Sequence, residues 1–204
     1  MRKLRYCSGL LLIAVFLLGG CAAVSMDDVE ESGFLVDYSQ LTPGGEDRAA
    51  LTYVDPDVDF KKYDALMFDR VSVWLSPEAE NRDVDPAVFK KMSDYFLNAL
   101  VKAVEDGYTV VDQPGPNVIR VRAAITDVEP SDPVAKAISV DNIGIGGAEA
   151  EMELLDSMSS ERLAAAVDSR RGGKPASRGV WEDTKDAFDY WAERFRERLD
   201  KARR

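Results

Sequence analysis

Val118-Ile119-Arg120-Val121-Arg122-Ala123-Ala124-Ile125-Thr126-Asp127 alternates apolar and polar side chains, and Ala148-Glu149-Ala150-Glu151-Met152-Glu153-Leu154 repeats the pattern. A period of two is the signature of a strand with one face on a core and the other in water. Ile119, Val121, Ala123 and Ile125 are therefore expected to face inward with Ala148, Ala150, Met152 and Leu154. Arg120, Arg122 and Thr126 then face outward, as do Glu149, Glu151 and Glu153. Opposite charges on neighbouring strands of one solvated face make an ion ladder the expectation there. Asp156 to Ser160 reads as a hairpin loop, and Leu163 to Asp168 as the strand that pairs back.

Outward from these strands the period changes. Phe89, Met92, Phe96, Leu100 and Ala103 recur at helical spacing, behind Asp85 as N-cap and Pro86 at the first helical position, with Gly107 as the stop. Val180 to about Ala202 forms a second helix, with Trp181, Phe188, Trp191, Phe195 and Leu199 on its buried side. Its acidic first turn and basic last turn suit the helix dipole. Ala65 to Leu75 reads as a strand whose apolar parity switches between Phe68 and Val71, which implies a bulge or burial on both faces. Tyr108 to Asp112 is a further short strand. The order strand, helix, four strands, helix predicts an α+β two-layer sandwich: a mostly antiparallel sheet of about five strands with two helices packed on one face.

The N-terminus has a different character. Arg2, Lys3 and Arg5 precede an apolar run from Leu10 to Leu18, the pattern of a secretory leader and too short to span a bilayer comfortably. The run ends in Leu18-Gly19-Gly20-Cys21, which resembles the bacterial lipobox. That resemblance implies cleavage before Cys21 and lipid on its thiol. Residues 1–20 are then the signal peptide, 21–62 an acidic tether broken by Gly and Pro and partly docked through Gly33 to Leu41, and 63–204 a single domain. With Cys7 lost and Cys21 acylated, no disulfide is available, so stability must come from packing.

Removing the leader leaves 23 basic residues against 37 acidic ones, a balance that repels nucleic acid. The basic C-terminal stretch from Arg194 to Arg204 is interleaved with Glu193, Glu197 and Asp200 and reads as a solvated helix face. The chain has no histidine, which removes Ser-His-Asp and Cys-His catalysis and histidine metal sites. Asp55-Pro56-Asp57-Val58-Asp59 imitates the start of a calcium loop, but Phe60 stands where glycine is needed and Leu66 where the bidentate Glu belongs. Asn142 to Gly147 is glycine-rich but leads into a strand, with no Lys-Ser/Thr beside it, so it is no phosphate cradle. Glu149, Glu151 and Glu153 lie on one strand face, whereas a glycosidase needs two carboxylates across a cleft. The expectation is therefore no enzyme, no catalytic residue, no metal and no cofactor.

Several segments together carry a resemblance: Gly33-Phe34-Leu35-Val36-Asp37-Tyr38-Ser39, Tyr63-Asp64-Ala65-Leu66, Gly107-Tyr108 with Val110 to Pro116, Leu154-Leu155-Asp156-Ser157, Glu161 to Ala165, and Ala187-Phe188-Asp189-Tyr190-Trp191-Ala192. As a set they resemble a proteobacterial lipoprotein family of unknown function (domain of unknown function 3313). The resemblance implies an envelope location and brings no reaction or functional residue. The expected role is an outer-membrane lipoprotein on the periplasmic face, anchored through Cys21, that binds another envelope protein as a structural or accessory factor. The alternatives are a carboxylate-dependent hydrolase of an envelope glycan or ester, and a lipid or small-molecule carrier with a cleft between helices and sheet.

Overall fold

The computed structural model describes residues 29–45, 48–77, 79, 81–132, 146–172 and 179–204. Its centre is the antiparallel pair of β6 (Val118–Glu129) and β7 (Gly147–Asp156), joined on the far side of β7 by β8 (Arg162–Arg171). The turn between β7 and β8 is closed by the Asp156 N–H on the Glu161 carbonyl, with Ser160 at positive φ. The inward set is as its period requires: Ile119, Val121, Ala123, Ile125, Ala148, Ala150 and Leu154 all lie in the main core.

The remaining strands are β1 (Thr42–Pro43), β2 (Leu51–Val54), β3 (Ala65–Phe68), β4 (Ser72–Val73) and β5 (Thr109–Val111). The sheet order is β1-β2-β8-β7-β6-β3-β5, with β4 beside β6 further along. The sheet is thus larger than expected, with eight strands among the described residues, and it is mixed. β3 runs parallel to both β5 and β6, and β4 runs parallel to β6. The physical reason is the crossover: α1 (Pro86–Val104) carries the chain from β4 back to the start of β5, and parallel neighbours require such a long connection. Alternation reveals faces, not strand direction. The parity switch is also explained. Phe68 pairs with Val121 and Ser72 with Ala124, so four steps on one strand oppose three on the other.

α1 begins as its sequence dictates, with the Asp85 carboxylate accepting from the Ala87 N–H and Pro86 at the start. α2 (Glu182–Ala202) carries acidic residues in its first turn and Lys201 in its last. Both helices lie on one face of the sheet. Phe96 and Phe188 stack there at 4.7 Å between ring centres, each almost fully buried. Burying a phenylalanine contributes roughly 1.5–3 kcal/mol.

Residues 29–45 and 48–54, within the stretch expected to be a tether, pack against the opposite face and add β1 and β2 to the sheet. Val29, Phe34, Leu35, Leu41 and Leu51 form a second core with Ala124, Ala165 and Val167. The outward face of β6 and β7 is consequently not the wet ladder expected. Arg122 does pair with Glu153, but Glu151 is 0% and Glu153 3% exposed, sealed beneath residues 32–38.

Candidate functional site

Ala150, Ala164 and Ala166 put small side chains on the helix-facing side of β7 and β8, where larger ones would fill the space beneath α2. A cleft of about 470 Å³ opens there. Met152 and Leu154 continue its floor, β2 contributes Thr52 and Val54, and Tyr190, Trp191 and Phe195 of α2 form the wall. Small-molecule sites commonly measure ~300–1,000 Å³ with mostly apolar linings and few polar groups. Arg48, Arg194, Arg198 and Lys201 stand around it, and Asp168 is its one acidic residue. Both Asp168 oxygens accept: Oδ2 from Trp191 Nε1 at 2.7 Å and Oδ1 from the Ala50 N–H at 3.0 Å. Burial raises its pKa above the usual aspartate value, and these two donors offset part of the rise. The bond to Asp168 also fixes the Trp191 ring as a rigid wall.

Of the aromatics on the buried side of the last helix, Phe188 and Trp181 pack on the core without lining the cleft. Trp191 and Phe195 serve twice, packing inward and lining the cleft. Nothing in the period of one helix separates those two roles, because the cleft arises from the alanines opposite.

The buried carboxylates Glu151 and Glu153 have a different environment. Glu151 Oε1 accepts from the Ser32 N–H at 3.0 Å and Oε2 from the Tyr38 hydroxyl at 2.6 Å. Burial, and after it this hydrogen bond, raise the Tyr38 hydroxyl above its ordinary pKa. Glu153 accepts from Arg122 at one oxygen and from Arg162 Nε at the other, 3.1 Å away. Arg162 also donates to the carbonyls of Leu35 and Asp37. All four carboxylate oxygens thus fasten the N-terminal segment or its clamps. Both carboxylates are buried and neither lines the cleft under α2, so the two carboxylates across a cleft that a glycosidase needs are not built from this pair.

The other sequence candidates fall into local roles. Asp55 accepts from the Asp57 N–H and Asp59 from the Lys61 N–H, so they close turns. No group of three His, Cys, Asp or Glu is placed to hold a metal among the described residues. Asn142 to Ile145 and Cys21 lie outside the described residues. Gly146, which follows that loop, donates to buried Asp183 Oδ2 at 3.0 Å. In the basic C-terminal stretch Arg194 pairs with Glu197, and Arg196 with Asp106 and Asp200. No helix among the described residues is long and apolar enough to cross a membrane.

The chain is 29% identical over 133 residues to the uncharacterized lipoprotein YdcL of Escherichia coli K12, an alignment spanning 64% of this chain and 60% of that one. It thus spans about three fifths of the length of this curated relative. Among solved structures, the PelC dodecamer from Paraburkholderia phytofirmans is similar at a TM-score of 0.42 and 11% identity, covering 70% of this chain and 95% of that one. Protein XCC0632 from Xanthomonas campestris is similar at a TM-score of 0.40 and 14% identity, covering 73% and 90%. The family model that matches residues 30–195 takes in the clamped N-terminal segment, the whole sheet and most of α2, and the chain belongs to that family, the proteins of unknown function DUF3313.

Proposed function

We propose that this is a lipid-anchored envelope protein that acts by binding and not by catalysis, and that the cleft under α2 receives a ligand with an apolar body. The cleft carries the reading: an apolar floor of small residues, a fixed indole wall and a charged rim. The lipobox-like Leu18-Gly19-Gly20-Cys21 supports anchoring through Cys21, and the lipoprotein name of the Escherichia coli relative agrees. The anchor belongs to the outer membrane, facing the periplasm.

The test is titration with N-phenyl-1-naphthylamine, an uncharged dye that brightens in apolar sites. Wild-type protein should brighten it, whereas Ala166→Trp, which fills the floor, should not. Equal brightening by both proteins, each shown to be folded by circular dichroism, would refute the cleft as the site.

A second reading, an accessory factor for an envelope protein, is favoured by Val36. This side chain is 88% exposed at the tip of a turn in the segment that covers the sheet. Crosslinking from native membranes would then capture one partner through wild-type protein and lose it with Val36→Asp.

A further inference from the structure

We propose that the cleft ligand is a single-chain anionic lipid, held tail-inward along the alanine floor with its head between Arg198 and Lys201. This rests on the cleft being the binding site and adds the ligand's chemistry and orientation.

The dimensions favour one chain. The volume lies in the lower half of the range for small-molecule sites, too little for the paired chains of a membrane phospholipid. From Tyr190 to Ala202 the α2 wall runs about 18 Å at 1.5 Å per residue, so the space is long and narrow. A slot of that shape suits an acyl chain better than a ring system.

Charge supplies the second argument. The whole chain has 37 acidic residues against 26 basic ones, yet four cations and one carboxylate line this cleft. The carboxylate is spoken for by Trp191 and Ala50. A cationic mouth on an acidic protein is complementary to an anionic head group.

The orientation follows from the topology. α2 runs antiparallel to β8: Asp183 abuts Gly172, and Trp191 lies on Asp168. Arg198 and Lys201 therefore come over the opposite end of the floor, where Ala164 pairs with Val54. Val54 is itself exposed, which marks that end as an open mouth. Asp168 stands at the other end of the floor, its carboxylate already bonded to Trp191 and Ala50. The head thus sits at the Arg198–Lys201 mouth and the tail reaches toward Trp191.

The experiment uses the full lipid-anchored protein in phosphatidylcholine nanodiscs, with a diazirine-tagged laurate and its neutral glyceryl ester as photoprobes. Laurate should label peptides of β8 and α2. The pair Arg198→Glu and Lys201→Glu should lower laurate labelling about tenfold, a change worth ~1.4 kcal/mol, and leave the ester unchanged. Ala202→Trp at the exposed rim should block the mouth without touching the core, a control should Ala166→Trp fail to fold. Equal labelling by both probes, insensitive to charge reversal, would overturn the anionic head and leave the cleft reading intact. Labelling of neither probe in β8 or α2 would overturn both.

Discussion

Glu153 illustrates how far one side chain's surroundings escape its sequence position. By alternation it belongs to a solvated ladder, where an exposed ion pair is worth only ~0.2–1 kcal/mol. In the fold its carboxylate is buried and clamped by Arg122 and Arg162. Arg122→Glu would set a second carboxylate against the buried one with Arg162 alone beside both, and an uncompensated charge at a buried pair typically costs ~3–5 kcal/mol. Arg122→Glu is therefore expected to destabilise by at least about 3 kcal/mol, read as a lower urea midpoint, and not modestly as a wet face would imply. A second residue-scale expectation concerns Tyr63, whose buried ring donates its hydroxyl to Asp156 Oδ2 at 2.7 Å. Asp156 is held below the ordinary aspartate pKa, first by the Ser159 backbone N–H and, among other causes, by Tyr63. A depressed carboxylate contributes stability above its unfolded pKa and loses it as pH falls through the lower folded value. Tyr63→Phe should raise the Asp156 pKa in an NMR titration. It should also cost about 1 kcal/mol at neutral pH, the net worth of one hydrogen bond. That difference should shrink once Asp156 is protonated in both proteins.

Among the elements, the N-terminal turn is the most constrained. Val36 sits at φ +65° with the Asp37 N–H bonded to the Leu35 carbonyl at 2.7 Å, a γ-turn whose central residue is in the left-handed region. A β-branched residue there stores strain on the order of 1–3 kcal/mol. Arg162 holds the carbonyls on either side of it, so the turn survives its own cost. Val36→Gly should raise stability by about 1 kcal/mol, measured by thermal melting, since the side chain buries nothing. A loss of stability would show that the valine side chain packs against a neighbour. Long elements were legible because burial imprints its period: α1 with its Asp85 cap, α2 with its aromatic stripe, β6 and β7 with their alternation. β1 and β2 were not, because two and four residues are too short for a period to register. The place of β2 beside β8 is decided by partners more than a hundred residues away, and β1 then pairs with β2 at the edge.

At the scale of the whole molecule, attachment and cleft are separable. Cys21→Ser is expected to abolish lipidation and leave an uncleaved or soluble species. Partition of that variant into a detergent phase at wild-type mass would refute the anchor. With Ala22 and not aspartate after the cysteine, the wild-type protein should sediment with outer-membrane vesicles on a density gradient, and recovery with inner-membrane vesicles would refute that sorting. What the sequence by itself determined is local and periodic: the two helices and the Asp85 cap of the first, the central strands and their inward faces, and the family resemblance that the DUF3313 match bears out. Tertiary structure alone decided the parallel strands, the burial of Glu151 and Glu153 under the N-terminal segment, and the cleft. Each depends on which surfaces meet across long stretches of chain. Alternation specifies that a side chain points to one side of a sheet, but not whether solvent, a docked segment or an empty slot beneath a helix lies on that side.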